Sequence, residues 1–424
     1  MSTSTLRPPV LLTDGASYGT LAAARALGQE GIRVSVADPS PLAPAGWSRH
    51  AARRLAAPSS VGGAAFVQWL LAFGRREPGH VLLPTSDDTA ILYSTHRDVL
   101  ARHFQLAPPH PDAVMPLLDR WRLLAFAVPA GLDVPRTLLP LDGEDLLRVA
   151  AKVTYPVLLR ARTQALLRGH PQDVLASTRE ELIPAWRAAV EDRRFSEPVA
   201  SMEPRIHLPL LQCRADGAAH AYGVSGWVER SGRAVLRASW RLLQAPAQRE
   251  SGVCLEHAEV DVRVASRLLA LLRTVGYHGV FEAEFLAAGE RLLLAGLKPR
   301  FFGHMAFDVA RGLPLPQLAY LDAVGDDVAR AALLSGAAAW RSAGAPVYRH
   351  RTTLELVLRA RRLSGMGRAE VRRWRAWLRE HRHDATDAAS APGDLVPGYV
   401  DALREIAALA RHPRASLRTL GPEA

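Results

Sequence analysis

Lysine is almost missing from this 424-residue chain: Lys152 and Lys298 are the only two, and 51 arginines supply the rest of the basic charge. An evolved polyanion-binding surface usually mixes both cations, so the net charge of +11 reads as coding bias toward arginine. A nucleic-acid partner is therefore not expected. Cysteine is equally scarce. Cys213 and Cys254 exclude a disulfide framework and a cysteine metal cluster, which fits a reducing cytoplasm. No apolar run approaches the length that spans a bilayer. The opening MSTSTLRPPVLLTDG has too short an apolar segment for a signal peptide, so the expected location is cytoplasmic. What is present is ordinary for a globular protein: 48% apolar and 22% charged residues, with length for two or three domains with their own cores.

The first hundred residues alternate strand and helix. PVLLTDGASYGTLAAARALGQEGIRVSVADPS reads as a strand, a glycine-bearing turn, an amphipathic helix and a second strand. Gly15 and Gly19 flank the turn. Either their backbone faces an anion at the helix N-terminus, or they serve close packing. HVLLPTSDD reads as a buried strand ending in polar residues. Strand carboxyl ends bind ligands in open α/β sheets, so Ser86 and Asp87 are site candidates, against a plain capping role.

The richest stretch is 279–303, GVFEAEFLAAGERLLLAGLKPRFFG. FEAEFLA and RLLLAGL read as two strands joined at AGE, with KPRFFGH following. This hairpin resembles the core of the ATP-grasp fold, and other motifs follow the family order. Asp119-Arg120, a helix, and Gly131, Val134, Pro135, Thr137 resemble the entry to the nucleotide-binding domain. YPVLLRARTQ resembles the next strand, with Arg160 in the place of a lysine; STREELIPAWRAA resembles the helix after the lid hairpin; EPVASMEP aligns Glu203 with a hinge glutamate on the adenine side. The resemblance covers about residues 8–320 and is best to carboxylate–amine ligases with a pre-ATP-grasp domain. It implies an α/β protein, α+β in the grasp domain. The implied parts are a Rossmann-like pre-ATP-grasp domain at 1–110, an ATP-grasp domain at 111–330 with its lid near 138–200, and a helical, arginine-rich C-terminal extension at 331–424.

The resemblance also implies ATP as cofactor, an acyl-phosphate mechanism, and small-molecule carboxylate and amine substrates. Catalysis of that kind is positioning and charge neutralisation. Arg120, Arg160, Glu203, Glu284 and Arg300 are the implied cofactor-binding residues, and Arg300 and Lys298 the implied catalytic ones. Glu284 holds the place of the first magnesium ligand. Glu282, on the same strand face by period two, is either a second ligand or the cross-strand partner of a neighbouring arginine.

Two letters depart from the family's E-x-N-P-R: Gly296 and Lys298 replace the acid and the asparagine. Glycine supplies no oxygen ligand. An ammonium about 5 Å from a divalent ion is repelled by about 6–7 kcal/mol at an effective dielectric near 20. Magnesium is thus implied by the family and opposed by these residues, and Lys298 either replaces the metal against phosphate or faces solvent. His304 reads as a structural histidine. Trp240, Arg241 and Gln244 resemble a region lining the substrate side, ahead of an SGVC segment read as flexible.

Beyond Pro316 the sequence turns helical. Trp374, Trp377 and Leu378 mark an amphipathic helix whose basic face is read as solvated, DATDAASAPGD as a linker, and YVDALREIAALARHP as a last amphipathic helix. Three functions stay open: a ligase with an altered site; a degenerate nucleotide or metabolite binder acting as a regulatory or partner subunit; and an adaptor working through the basic C-terminal helices. The last two allow a protein partner, and a homo-oligomer is compatible with all three.

Overall fold

The computed structural model describes residues 7–166, 173–191, 203–213, 221–243, 254–341, 344, 346–350 and 367–411. The N-terminal sheet is parallel throughout. Its strands β1 (Val10–Leu12), β2 (Val34–Asp38), β3 (Ala51–Ala56), β4 (His80–Leu82) and β5 (Phe104–Gln105) lie in the order β3-β2-β1-β4-β5. β1 and β4 are buried at every position, as expected of strands covered on both faces. Helix α1 (Tyr18–Gln29) lies on one face; α2 (Ala64–Arg76) and α3 (Asp87–Thr95) cover the other.

Two helices, α4 (Pro111–Leu118) and α5 (Arg120–Ala127), lead from this unit to a small antiparallel sheet. That sheet comprises β6 (Thr137–Leu138), β7 (Val157–Arg160), β8 (Val174–Ala176) and β9 (Leu210–Cys213) in the order β6-β9-β7-β8. Its apolar face packs on α6 (Gly143–Ala150) and α7 (Arg179–Glu191) through Leu146, Leu182 and Trp186.

A larger sheet forms the body. β10 (Ala221–Val228), β11 (Ala234–Leu243) and β12 (Cys254–Ala258) precede α8 (Val262–Thr274), and β13 (Gly279–Ala288) and β14 (Arg291–Lys298) follow it. The order is β14-β13-β10-β11-β12, antiparallel throughout. Period-two alternation sends Tyr222, Val224, Phe281, Ala283 and Phe285 to one face, where Leu268, Leu271 and Leu272 of α8 complete the core. The opposite face is charged. Helices α9 (Met305–Ala310), α10 (Leu315–Val324) and α11 (Asp327–Ala339) then run back toward α1. Phe301, Phe302, Met305, Leu315 and Leu318 share one core with Val10, Leu21 and Val34. The two sheets are therefore welded through a common apolar interior.

The C-terminal segment adds α12 (Arg368–Glu380) and α13 (Val396–Arg411), and also two short strands on the large sheet: β15 (Val347–Arg349) on β12, and β16 (Thr386–Asp387) on β15. Trp374 of α12 is buried while Arg372, Arg373 and Arg375 are exposed, as the amphipathic pattern predicts. The stretch read as a linker is a correction. Ala388 and Ala389 are buried, and the Asp394 carboxylate accepts from Arg25 Nε at 2.7 Å, Ser48 Oγ at 2.7 Å and Arg49 N at 2.9 Å. Small polar residues there serve a close contact, which composition alone does not distinguish from a linker.

Candidate functional site

The hairpin β13–β14 turns at Gly289, whose φ of 60° suits a residue without a Cβ. Its register sets Glu282 opposite Lys298 and Glu284 opposite Gly296. On the other side Ser225 and Gly223 of β10 pair with the two glutamates, and Arg237, Ser239 and Arg241 of β11 continue the same face. Strand alternation alone therefore gathers two acids and several cations on one polar surface.

Those charges are engaged with each other. Lys298 Nζ donates to Glu282 Oε2 at 2.9 Å, and His304 Nε2 lies 3.2 Å from Glu282 Oε1. Arg241 Nη1 donates to Glu284 Oε1 at 2.8 Å, with Nη2 4.0 Å from Glu282 Oε1. The Glu282 side chain is 1% exposed. Burial pushes its carboxyl up, but the cations around it prevail and hold it at about 2. Among those cations His304 acts most strongly, followed by Lys298 and Arg241, while burial pulls the His304 imidazole itself below the ordinary histidine value. For Glu284 burial is likewise overcome, chiefly by Arg241, and its carboxyl sits below the usual range.

A divalent ion needs several oxygens with room to converge. Here Glu282 and Glu284 are occupied by Lys298 and Arg241, and Gly296 contributes no side-chain oxygen. Among the described residues no group of three or more His, Cys, Asp or Glu is placed to hold a metal ion. As arranged, the hairpin does not fit magnesium.

The implied phosphate-side arginines approach from three directions. Arg300, 3% exposed, follows β14; its Nε donates to Asp87 Oδ1 at 2.7 Å and Nη1 to the Phe301 carbonyl at 2.9 Å. Arg160, at the end of β7, pairs with Asp173 at 2.8 Å and donates to Gln212 Oε1 at 2.8 Å. Arg120 opens α5 and gives Nη1 to the Ala161 carbonyl at 2.8 Å. Among the described residues no acid lies within ion-pair distance of Arg120. Burial lowers it to about 10, and the charge of Arg160 adds to that fall. Asp87, Asp173 and Glu284 act on it only from farther off. The structure thus brings Arg120, Arg160, Arg300, Glu284 and Lys298 around one region.

Glu203 sits apart from the hairpin's pairs. It accepts from Arg122 Nη2 at 2.7 Å and lies 3.6 Å from Arg162 Nη2. Arg162 in turn is bound through Nε and Nη2 to Asp119, the fully buried cap of α5. Trp240 packs on Tyr222 with centroids 5.0 Å apart, while Gln244 and 251–253 of the SGVC segment lie outside the described residues. Residues 197–202 of the hinge motif lie outside them as well.

The glycine turn in the N-terminal sheet serves packing. A Cβ at Gly15 would stand 2.8 Å from Val36 Cγ1, and one at Gly19 2.7 Å from the Phe302 carbonyl oxygen. The N-terminal end of α1 is also covered. Ala16 N donates to Asp38 Oδ2 at 3.0 Å, Arg404 Nη1 of α13 donates to the Ala16 carbonyl at 3.0 Å, and the Tyr18 hydroxyl donates to Asp401 Oδ1 at 3.0 Å. Ser86 caps α3 by accepting from Thr89 N and donates to Asp14 Oδ2 at 2.8 Å. Asp87 meets Arg300, so one of these neighbours caps and the other reaches the site.

Several partners escaped sequence reading: Asp173 and Gln212 for Arg160, Arg122 for Glu203, and the direct bond from Arg241 to Glu284. Only the last had a local signal, the alternation of Arg237, Ser239 and Arg241 along one strand.

No family model matches the sequence, and no curated protein sequence matches it. Solved structures do. The biotin carboxylase domain of Hydrogenobacter thermophilus 2-oxoglutarate carboxylase, a dimer in complex with MgADP, ADP and bicarbonate, is similar with a TM-score of 0.58 and 15% identity over 75% of this chain and 70% of that one. Biotin carboxylase from Campylobacter jejuni, in an ATP complex, gives 0.56 and 14% over 76% and 72%. L-amino acid ligase from Bacillus licheniformis gives 0.53 and 11% over 76% and 75%. At these identities the likeness is one of architecture alone: the chain has the ATP-grasp fold.

Proposed function

We propose that this protein binds a nucleotide, ATP by the chemistry of its arginines, in the ATP-grasp manner without a conventional magnesium site. In this reading the chain divides at 1–110, 111–330 and 331–424, as its motifs suggest. Arg120, whose side chain makes one hydrogen bond among the described residues, to the Ala161 carbonyl, is the leading phosphate contact, and Arg160 and Arg300 line the same region. ATP supplies a transferable phosphoryl group when bound. The residues of this chain orient it and offset its charge.

The observation that carries the reading is the double pairing Lys298–Glu282 and Arg241–Glu284. Fixed protein cations at the position where a ligase would gather divalent ones support a reading in which binding is separated from turnover. Regulatory or partner-subunit work follows more directly from this arrangement than carboxylate activation does.

A thermal-shift titration with ATP tests it. Ligand at 100 times its Kd stabilises by about 2.7 kcal/mol, enough for a clear rise in Tm. The rise is expected to be the same with magnesium and with a chelator, and ADP is not expected to form with any carboxylate and amine. Stabilisation that appears only with magnesium, with ADP release, would replace this reading with an active ligase. No response to ATP would leave the basic C-terminal helices as the functional surface.

A further inference from the structure

The last helix has two faces of unlike chemistry. On the inner face of α13, Pro397, Val400 and Asp401 are buried. Asp401 accepts from the Tyr18 hydroxyl at 3.0 Å and from Arg404 Nη2 at 2.8 Å, and lies 2.9 Å from His350 Nε2. These bonds reach α1 and the residue after β15, so the helix is fixed to the body of the protein.

The outer face is apolar. Leu395, Val396, Tyr399, Leu403 and Ile406 are 54%, 49%, 69%, 57% and 58% exposed. From Val396 their spacing is three, four, three, the repeat that forms a seam between two helices. Exposed large apolar residues usually occur singly; these lie together on one face and sum to an apolar area on the order of 500 Å².

We infer that this stripe is the interface between two copies of the chain, related by a twofold axis. Three observations select a second copy. A seam of this period is complementary to itself, as a twofold contact requires. Two such patches bury about 1,000 Å² in total, the lower bound for a specific association. The flank also carries no excess of positive charge: Arg404 is bonded to Asp401 and lies 3.6 Å from Glu405, so two chains of net charge +11 can meet here with their cations offset locally. The stripe itself carries no charge with which to select a charged partner.

The test is sedimentation and light scattering of the full chain at roughly 1–50 µM, where an interface of this size associates. The expected species has twice the chain mass and dissociates on dilution. Leu403→Glu and Tyr399→Glu each shift it to the monomer while far-UV circular dichroism stays unchanged and Tm loses its dependence on concentration; Leu141→Glu, on an exposed leucine elsewhere, leaves the dimer intact. A wild-type monomer throughout the range, or a dimer that survives both stripe variants, overturns the inference. So does a monomer that dimerises only after residues 412–424 are deleted, because the face then belongs to the chain's own terminus.

Discussion

Replacing Lys298 by methionine removes one cation from a buried carboxylate and keeps most of the side-chain volume. The pair stands at 2.9 Å with Glu282 1% exposed. At an effective dielectric near 20 its attraction is about 6 kcal/mol, offset in part by desolvation of both groups. Removing one partner of a buried pair costs about 3–5 kcal/mol. Arg241 stays 4.0 Å from Glu282 but is bonded to Glu284, so the lower end, about 3 kcal/mol, is expected. The pH dependence gives a second readout. The folded Glu282 carboxyl lies at about 2, below its unfolded value, so its stabilisation is complete above about pH 4.5 and is lost as pH falls toward 2. That depression is set by His304, Lys298 and Arg241 together against the opposing effect of burial, so Lys298→Met should return the Glu282 carboxyl only part of the way to its ordinary value. Urea unfolding at pH 7 and pH 3 measures both, and Lys298→Met should flatten the acid limb as well as lower the midpoint. Glu282→Gln combined with Lys298→Met should cost less than the sum of the single changes by at least about 1 kcal/mol. A Lys298→Met midpoint unchanged within error, or a cycle with no coupling, would refute the pairing and the account of the metal site built on it.

Other changes probe the neighbouring features. Gly296→Glu with Lys298→Asn releases Glu282 and sets a second carboxylate directly across from Glu284; a Cβ at 296 meets nothing within 4 Å, so the variant is expected to fold. It should bind Mn²⁺, read by electron paramagnetic resonance, where the wild type binds none; equal binding by both would show that these two positions do not set metal affinity. Asp88, whose carboxyl accepts from Leu166 N at 2.5 Å, is pushed by burial up to about 6. The native state therefore keeps a proton that the unfolded chain has released, and stability falls by up to about 3 kcal/mol between pH 4 and 6. Asp88→Asn should abolish that slope in urea midpoints taken across the interval. Gly19→Ala sets a methyl 2.7 Å from the Phe302 carbonyl oxygen between two packed units, and a loss of about 1–3 kcal/mol in thermal unfolding is expected.

Much of the architecture was legible because its signals are local. The two mainly apolar runs FEAEFLA and RLLLAGL are separated by AGE with a glycine at the turn, and that is the β13–β14 hairpin observed. The same period sets Glu282, Glu284, Gly296 and Lys298 on one face, whatever they then do there. Helix α12 followed from its amphipathic spacing in the same way, and α7 from the resemblance of STREELIPAWRAA to the helix after the lid hairpin. The small residues of 384–394 misled, since alanine, serine and glycine allow a flexible chain and a close contact equally well.

Pairing between distant parts of the chain was decided by tertiary structure. Arg241 reaches Glu284 from 43 positions upstream, and Arg300 reaches Asp87 across 213. Neither partner can be chosen from periodicity, because periodicity fixes the face on which a charge lies and not the strand that becomes its neighbour. The choice is made when the sheet closes, since a carboxylate taken out of water must be neutralised by whatever cation the fold delivers. The sequence by itself determined that acids and cations share the hairpin and that the hairpin lacks one of its family's acids. The folded structure decided that those acids are held by Lys298 and Arg241, and so what the site can still accept.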